Sequence, residues 1–316
     1  MGAAGLGSRA IIGSFYEALE VSEGTGWVPR VSMPFTSDQE SETYKWLGMS
    51  PVMREFVGGR NAVGFRENGL TIINKTFEAT LKVLVDDLRR DKTGQVLIRI
   101  QELADRTASH WASLLSTLIV NGETSLAYDK QNFFDTDHSE GDSGDQTNDL
   151  GSGDYSQLNV GTANNPTPSE LADAFMVTVQ HFFKFLDDQA EPINEFASAF
   201  LVMVPVNMWG AGNTAINANL LNTGSGARDN PLKGLGVTLD IVANPRLTAN
   251  DDRFYVFRTD GRAKPFIKQE EEGVTIAAIA EGSELEFQQN EHHYGVKAIR
   301  NVGYGLWQHA IVSLLS

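Results

Sequence analysis

The longest regular pattern in the sequence runs from Gln95 to Asn121. Apolar residues recur there at intervals of three and four, which is typical of a helix with one apolar face. Its members are Val96, Leu97, Ile100, Leu103, Ala104, Ala108, Trp111, Leu114, Leu115, Leu118 and Ile119. Thr93 and Gly94 can begin this helix, and Gly122 can end it. Because such a helix spans roughly 40 Å, the rest of the chain must be arranged along it.

Composition narrows the classes of protein that this chain can belong to. Its 316 residues suffice for one large or two smaller domains, and 41% hydrophobic with 21% charged residues is an ordinary soluble composition. The formal net charge of −16 argues against a surface that binds nucleic acid by neutralising phosphates. Cysteine is absent, which excludes disulfides and thiolate chemistry. The sequence has neither a signal peptide nor an apolar run long enough to span a membrane.

The first part of the chain, residues 1–55, predicts an arm without a regular period. Large aromatic residues are scattered there among glycine, proline and serine, namely Trp27, Phe35, Tyr44 and Trp46. Such side chains need a surface on which to be buried. Two interpretations remain open: the arm packs on its own domain, or part of it packs on a neighbouring copy.

Residues 56–92 predict an extended β hairpin. Asn68-Gly69 is a turn signal, and the β-forming residues Ile73, Phe77 and Val83 are flanked by charge. Since an isolated two-stranded ribbon is barely stable in water, we expect it to dock on an adjacent subunit. The charged stretch Asp86–Arg90 then marks a joint before the long helix.

The second half of the chain alternates helical and strand patterns, which indicates an α+β fold. A helix is predicted from Pro168, and a buried central strand at Phe200–Val204. From Pro265 onward the chain reads as β structure, including a short strand at Leu285–Phe287. We expect the last stretch, Tyr294–Ser313, to return to the sheet beside the long helix.

The acidic segment between Asp129 and Asp154 is dense in aspartate, glycine, serine and asparagine. It predicts a surface insertion that is disordered over Ser139–Gly153. Its Gly141-Asp142-Ser143-Gly144 motif matches the nucleophile stretch of trypsin-like proteases, but a catalytic serine needs a rigid, oriented base. Asp135-Thr136-Asp137-His138 could supply metal ligands, although the spacing does not fit a twelve-residue calcium loop.

Two further sequence patterns do not predict a metal site or a nucleotide-binding site. His292-His293 point to opposite sides of a strand, so they do not converge on one ion. Gly5-Leu6-Gly7-Ser8-Arg9-Ala10 lacks the preceding strand that a dinucleotide-binding motif requires. No group of residues meets the requirements of an active site, so we predict a protein that is not an enzyme and needs no cofactor or metal.

Three stretches resemble the major head subunit (T protein) family of phage Mu and Mu-like prophages. They are Tyr44-Lys45-Trp46-Leu47-Gly48 leading into Arg54-Glu55-Phe56-Val57-Gly58, then Thr71-Ile72-Ile73-Asn74-Lys75-Thr76-Phe77-Glu78-Ala79-Thr80, and finally Tyr294-Gly295-Val296 with Gly303-Tyr304-Gly305-Leu306-Trp307-Gln308. The resemblance implies the Hong Kong 97-type capsid fold of tailed phages. Its parts would be an N-terminal arm (1–55), an extended loop (56–92), a peripheral domain (93–168 and 265–316) with a spine helix (95–121), and an axial domain (169–264). The segment Ser139–Tyr155 departs from the family pattern.

The resemblance also implies a function and a set of partners. The chain would be a structural protein that assembles into hexamers and pentamers of an icosahedral shell around double-stranded DNA, without sequence-specific binding and without a membrane. It would assemble in the bacterial cytoplasm and reside in the virion, with a portal, a separate scaffolding protein and decoration proteins as partners. The predicted inter-subunit contacts are Trp27, Phe35, Tyr44, Trp46, Arg54, Arg60, Lys75, Phe77, Glu78, Lys82, Asp86, Asp87, Arg89 and Arg90.

Two alternatives stay open at this point. One is an encapsulin-like compartment on the same fold. The other belongs to a different class, a metal-binding, β-rich hydrolase that uses the acidic loop 135–154.

Overall fold

The computed structural model describes residues 7–22, 26–45, 47, 69–91, 93–224 and 226–316. The helices are α1 (Ser8–Val21), α2 (Val28–Val31), α3 (Val85–Arg90), α4 (Gln95–Val120), α5 (Pro168–Phe182), α6 (Val206–Asn217) and α7 (Glu284–Gln289). The strands are β1 (Ser32–Thr36), β2 (Ser41–Tyr44), β3 (Leu70–Ile73), β4 (Lys75–Leu84), β5 (Asp149–Leu150), β6 (Ala199–Val204), β7 (Leu220–Asn222), β8 (Ala227–Asp229), β9 (Thr238–Ala243), β10 (Arg253–Arg258), β11 (Phe266–Ile279), β12 (Glu291–Tyr304) and β13 (Ala310–Leu314).

Helix α4 confirms the prediction made from the apolar period. Gly94 precedes it in the left-handed conformation (φ 75°), and the Asp91 carboxylate accepts hydrogen bonds from the backbone N–H groups of Gln95 and Val96 at 3.0 and 2.9 Å. The bond from Val96 is the main reason that the pKa of Asp91 is lowered. The cap is therefore Asp91 rather than Thr93, because the chain turns back before the helix begins.

The buried face of α4 joins two hydrophobic cores. Ile100 and Ala104 belong to a smaller core with Phe15 of α1 and Tyr294 of β12, whereas Leu115 and residues after it belong to the larger core. Ile100, Ala104 and Leu115 are fully buried. A single long helix therefore fixes the two parts of the molecule relative to each other.

The smaller core lies under a four-stranded sheet in the order β1-β11-β12-β4. Strand β4 pairs in antiparallel fashion with β12, from Lys75 opposite Arg300 to Leu84 opposite Glu291. Over residues 75–84 this strand is thus not part of an isolated ribbon, because β12 of the same chain satisfies one side of its backbone. Docking on an adjacent subunit stays a prediction. Asn68 of the predicted turn lies outside the described residues.

The larger core surrounds a five-stranded sheet in the order β5-β13-β10-β6-β9. Strand β6 is flanked by β10 and β9, and Phe200–Val204 are at most 1% exposed, which confirms the predicted central strand. Strand β13 pairs with β10 rather than with the sheet that lies along the first half of α4. The chain end Ala310–Leu314 therefore belongs to the same sheet as β6 and β9, although the sequence placed it beside the long helix.

Helix α5 begins at Pro168, as predicted, and Thr167 provides its cap. The Thr167 hydroxyl accepts from the backbone N–H of Glu170, and the Glu170 carboxylate accepts from the backbone N–H of Thr167 at 2.8 Å. We expect Thr167→Ala to lower the free energy of unfolding by about 1 kcal/mol, because it leaves helix N–H groups without a partner. Urea denaturation measures this loss, and exposed Thr162→Ala is the control, expected to stay within about 0.5 kcal/mol.

Two predictions of local structure are wrong. Residues Leu285–Phe287 lie in helix α7 rather than in a strand, because Ser283 caps the helix start and Asn290 ends it in the left-handed conformation. The acidic segment is ordered: β5 within it pairs with β13, and His138, Asn148 and Leu150 are fully buried. Its polar side chains bond to one another and to the sheet, so the polar composition does not produce disorder.

Candidate assembly surface

The predicted contact residues of the arm differ in how deeply their side chains are buried. Trp27 and Tyr44 are only 6% and 7% exposed, and both belong to the larger core of their own chain. The Tyr44 hydroxyl donates to Gln269 at 2.8 Å, and burial raises the pKa of Tyr44 to about 12. For these two side chains the structure favours the first interpretation, packing on the chain's own domain. Phe35 is partly buried against Tyr44, with ring centroids 5.0 Å apart.

Three of the predicted contacts, Trp46, Arg54 and Arg60, lie outside the residues whose structure is described. A contact role for them stays a prediction.

Strand β4 carries Lys75, Phe77, Glu78 and Lys82 at the last position of its sheet in the described part of the chain. One side of its backbone pairs with β12, and among the described residues no strand pairs with the other side, so β4 has a free edge there that can pair with another chain. Lys75, Glu78 and Lys82 are exposed, and Lys82 forms an ion pair with Glu291 at 2.8 Å. This edge is where the predicted contacts can reach a neighbour.

The remaining predicted contacts lie on the short helix α3. Asp86 and Asp87 occupy its first turn and Arg89 and Arg90 its last, which is the arrangement that the helix dipole favours. Asp87 and Arg90 also line a cleft beside the start of α4, together with Arg99. The charges predicted to set partner choice are therefore close together, next to the β4 edge.

Sequence reasoning missed an exposed surface on α6. Val206 and Trp209 are each 51% exposed and lie one turn apart. No residue of α6 is charged, although the chain as a whole has a charge of −16. The sequence signal for this surface was a predicted helix that has a tryptophan and no charged residue. Uncharged faces with tryptophan are typical of contact surfaces.

The catalytic and metal alternatives find no support in the acidic segment. The Ser143 hydroxyl accepts from the backbone N–H of Glu140 and donates to the carbonyl of Gly144. Both ring nitrogens of nearby His138 bond to other partners, Asp129 and Asn148, so Ser143 has no base there. Within the described ranges, no three histidine, aspartate or glutamate side chains are placed to hold a metal ion. Over the same ranges, no helix has the length and apolarity needed to cross a membrane.

Comparison with solved structures identifies the fold. The fold matches a chain in the procapsid of bacteriophage JBD30 with a TM-score of 0.54 and 23% identity, covering 98% of this chain and 73% of that one. It also matches the mature capsid of bacteriophage PhiM1 with a TM-score of 0.56 and 10% identity, covering 92% and 86%. This is the α+β, Hong Kong 97-type fold of phage capsid subunits, as the resemblance implied.

The family follows from the sequence comparison. The family model described as "Mu-like prophage major head subunit gpT" matches residues 9–157 and 228–314, and the chain belongs to this family. The match runs through the acidic segment, which is therefore within the family region. The "Major capsid protein" of Escherichia phage Mu is 37% identical over 109 residues, which is 34% of this chain. That alignment spans 36% of the phage Mu protein, about a third of its length.

Proposed function

We propose that this chain is the major capsid protein of a tailed phage or prophage, and that its copies form the hexamers and pentamers of an icosahedral shell around double-stranded DNA. The observation that carries the proposal is the gpT family match on a chain with the phage capsid fold. The proposal includes assembly in the host cytoplasm, a place in the virion, and a portal, a scaffolding protein and decoration proteins as partners. It assigns the chain no catalytic role.

The mechanical principle is the repetition of modest contacts. The free edge of β4, the charged helix α3 and the uncharged face of α6 lie on different elements, so one copy can contact several neighbours. Closure of a symmetric shell adds these contacts together, so that none of them must be strong alone. The net charge of −16 makes copies repel one another until such specific contacts form.

Electron microscopy of the purified, expressed protein tests the proposal. We expect negatively stained preparations to contain closed shells or their capsomers, alone or with a co-expressed scaffolding protein. A particle that stays monomeric at every concentration, with and without that partner, would contradict the proposal.

The uncharged face of α6 gives a specific prediction. We expect Trp209→Glu to leave the subunit folded but to raise the protein concentration needed for assembly by about tenfold or more, because it adds a carboxylate to a face that excludes charge. Sedimentation velocity measures the assembled fraction. The control is Gln101→Glu, which makes the same charge change at an exposed position of α4. Equal assembly of both variants would exclude the α6 face from the contacts.

The two alternatives predict different observations. An encapsulin-like compartment would hold a protein cargo, and a co-purifying enzyme inside the shells would favour it. A metal-dependent hydrolase would bind stoichiometric metal, with activity lost in Asp137→Ala and His138→Ala. The family match favours neither alternative.

A further inference from the structure

A cluster of cations surrounds Trp111 on α4, in a chain that is otherwise strongly acidic. The Arg300 guanidinium lies 4.7 Å from the centroid of the indole ring, and the Lys268 ammonium lies 4.9 Å from it. Arg300 is 3% exposed, donates one hydrogen bond to the carbonyl of Thr107 at 3.3 Å, and has a buried Nε without a partner. Among the described residues, neither cation forms an ion pair within 4.0 Å.

Positive charge exceeds negative charge around this cluster, where Glu270 lies opposite Arg300 in the sheet. Burial and then the charges of Arg300 and Arg246 lower the pKa of His110 to about 4. Burial is also the main reason that the pKa of Lys268 and that of Arg300 are lowered, and only Glu270 opposes it. A buried cation that lacks a close ion pair is costly, so a second carboxylate brought from outside would stabilise this surface.

A hole of about 190 Å³ opens beside the cluster, between α4 and the sheet. Its lining is apolar at Phe77, Leu103 and Val296, and it carries the two guanidinium groups of Arg106 and Arg300 and the one carboxylate of Glu78. Ala79, which lies opposite Val296 in the sheet, also lines the hole. Cavities of about 150 Å³ accommodate benzene, so the hole can take one aromatic side chain.

The same chain carries a matching projection at the β11–β12 hairpin tip. Phe287 of α7 is 92% exposed, far more than is usual for a large apolar side chain. Glu284 lies one turn before it on the same face and is also exposed. The projection thus pairs an aromatic ring with a carboxylate, and the hole pairs an apolar lining with guanidinium groups.

The two features cannot meet within one molecule. Strand β12 runs from the hairpin tip at Glu291 to the hole at Ala298, so roughly 25 Å of extended chain separates Phe287 from the hole. Phe287 can therefore reach this hole only from another copy. Such a contact joins two different surfaces, which is the head-to-tail arrangement that generates rings and closed shells.

We propose that Phe287 of one copy inserts into the hole beside Arg300 of a second copy, with Glu284 of the first copy paired to Arg106 of the second. The inference rests on the proposed assembly of this chain into shells. It adds the location and the chemistry of one contact.

Cysteine trapping tests the contact directly, because the natural chain has no cysteine. Shells of the double variant A79C/F287C, oxidised and run on a non-reducing gel, are expected to give a ladder of linked chains. The single variants A79C and F287C can give at most dimers. The control pair I98C/F287C, with Ile98 exposed elsewhere on α4, is expected to give no ladder.

The remaining outcomes are also decisive. Shells that form without a ladder would overturn the inference and leave the proposed function intact, whereas failure of the wild-type protein to assemble would contradict the proposed function itself. In A79C shells, a thiol that reacts freely with a maleimide would show an empty hole and overturn the inference. A thiol that is protected but never linked to F287C would show another occupant and overturn it equally.

A charge exchange tests the polar part of the contact. R106E and E284R are each expected to raise the concentration needed for assembly by about tenfold, and R106E/E284R is expected to restore it. The control R262E makes the same charge change at an exposed arginine that lies on none of the contact surfaces described above. If the double variant assembles no better than the singles, the Glu284–Arg106 pair is wrong. If R106E assembles normally but loses binding of a labelled single-stranded DNA that the wild-type protein binds, the cluster is a phosphate site and the proposal fails.

Discussion

His138→Ala is expected to lower the free energy of unfolding by about 3–5 kcal/mol, because it leaves a buried carboxylate without its hydrogen-bond partner and a cavity beside it. His138 is fully buried, and its Nδ1 lies 2.6 Å from a carboxylate oxygen of Asp129, whose side chain is 2% exposed. The other ring nitrogen lies 3.2 Å from the amide oxygen of Asn148. The imidazole is thus held at both of its nitrogens by buried polar groups. The ring also stacks on Trp307 at 4.0 Å.

The measurement is urea denaturation of the unassembled subunit, followed by tryptophan fluorescence. His293→Ala is a matched control, since that histidine is about a third exposed and its contact with Glu291 is at the surface. We expect the control to change stability by less than about 1 kcal/mol. Equal losses in the two variants would show that the buried pair does not hold the acidic segment on the core.

Gly141→Ala is expected to destabilise the subunit by about 3 kcal/mol or more, whereas Gly144→Ala should cost only about 1–2 kcal/mol. Both glycines have positive φ angles, +57° and +70°, so alanine is strained at either position. A Cβ at Gly141 would also lie 2.2 Å from the carbonyl oxygen of Asp188, while a Cβ at Gly144 would have open space around it. The difference in destabilisation between the two variants therefore measures the cost of the contact between position 141 and the backbone of Asp188.

Thermal unfolding and limited proteolysis check this second prediction. If the acidic segment packs as described, Gly141→Ala should expose it to protease well below the unfolding temperature of Gly144→Ala. A segment that moved freely would tolerate both substitutions equally. That result would restore the expectation of disorder over Ser139–Gly153.

Long-range hydrogen bonds explain why the acidic segment misled sequence reasoning. Its composition is that of a disordered loop, yet Asn148 donates to the carbonyls of Phe133 and Ala310, and Gln146 exchanges hydrogen bonds with Leu186. These partners lie up to 162 residues away in the sequence. Composition reports how polar a segment is and carries no information on whether distant groups will satisfy it.

Local sequence patterns by themselves determined the elements that are defined by the spacing or type of their own residues. The spacing of apolar residues determined α4, the unbroken apolar run determined β6, and the Pro168–Glu170 start determined α5. Short motifs also carried the resemblance that the gpT family match confirmed. In each of these cases the residues that decide the outcome are neighbours in the chain.

Only the tertiary structure decided which partner each element found. It paired β4 with β12 of its own chain, sent β13 to the sheet of β6, and buried His138 beside Asp129. It also left a hole over Ala79 at a distance from the exposed ring of Phe287. These outcomes depend on contacts between residues far apart in sequence, and on the volume that small side chains leave unfilled, neither of which a local pattern contains.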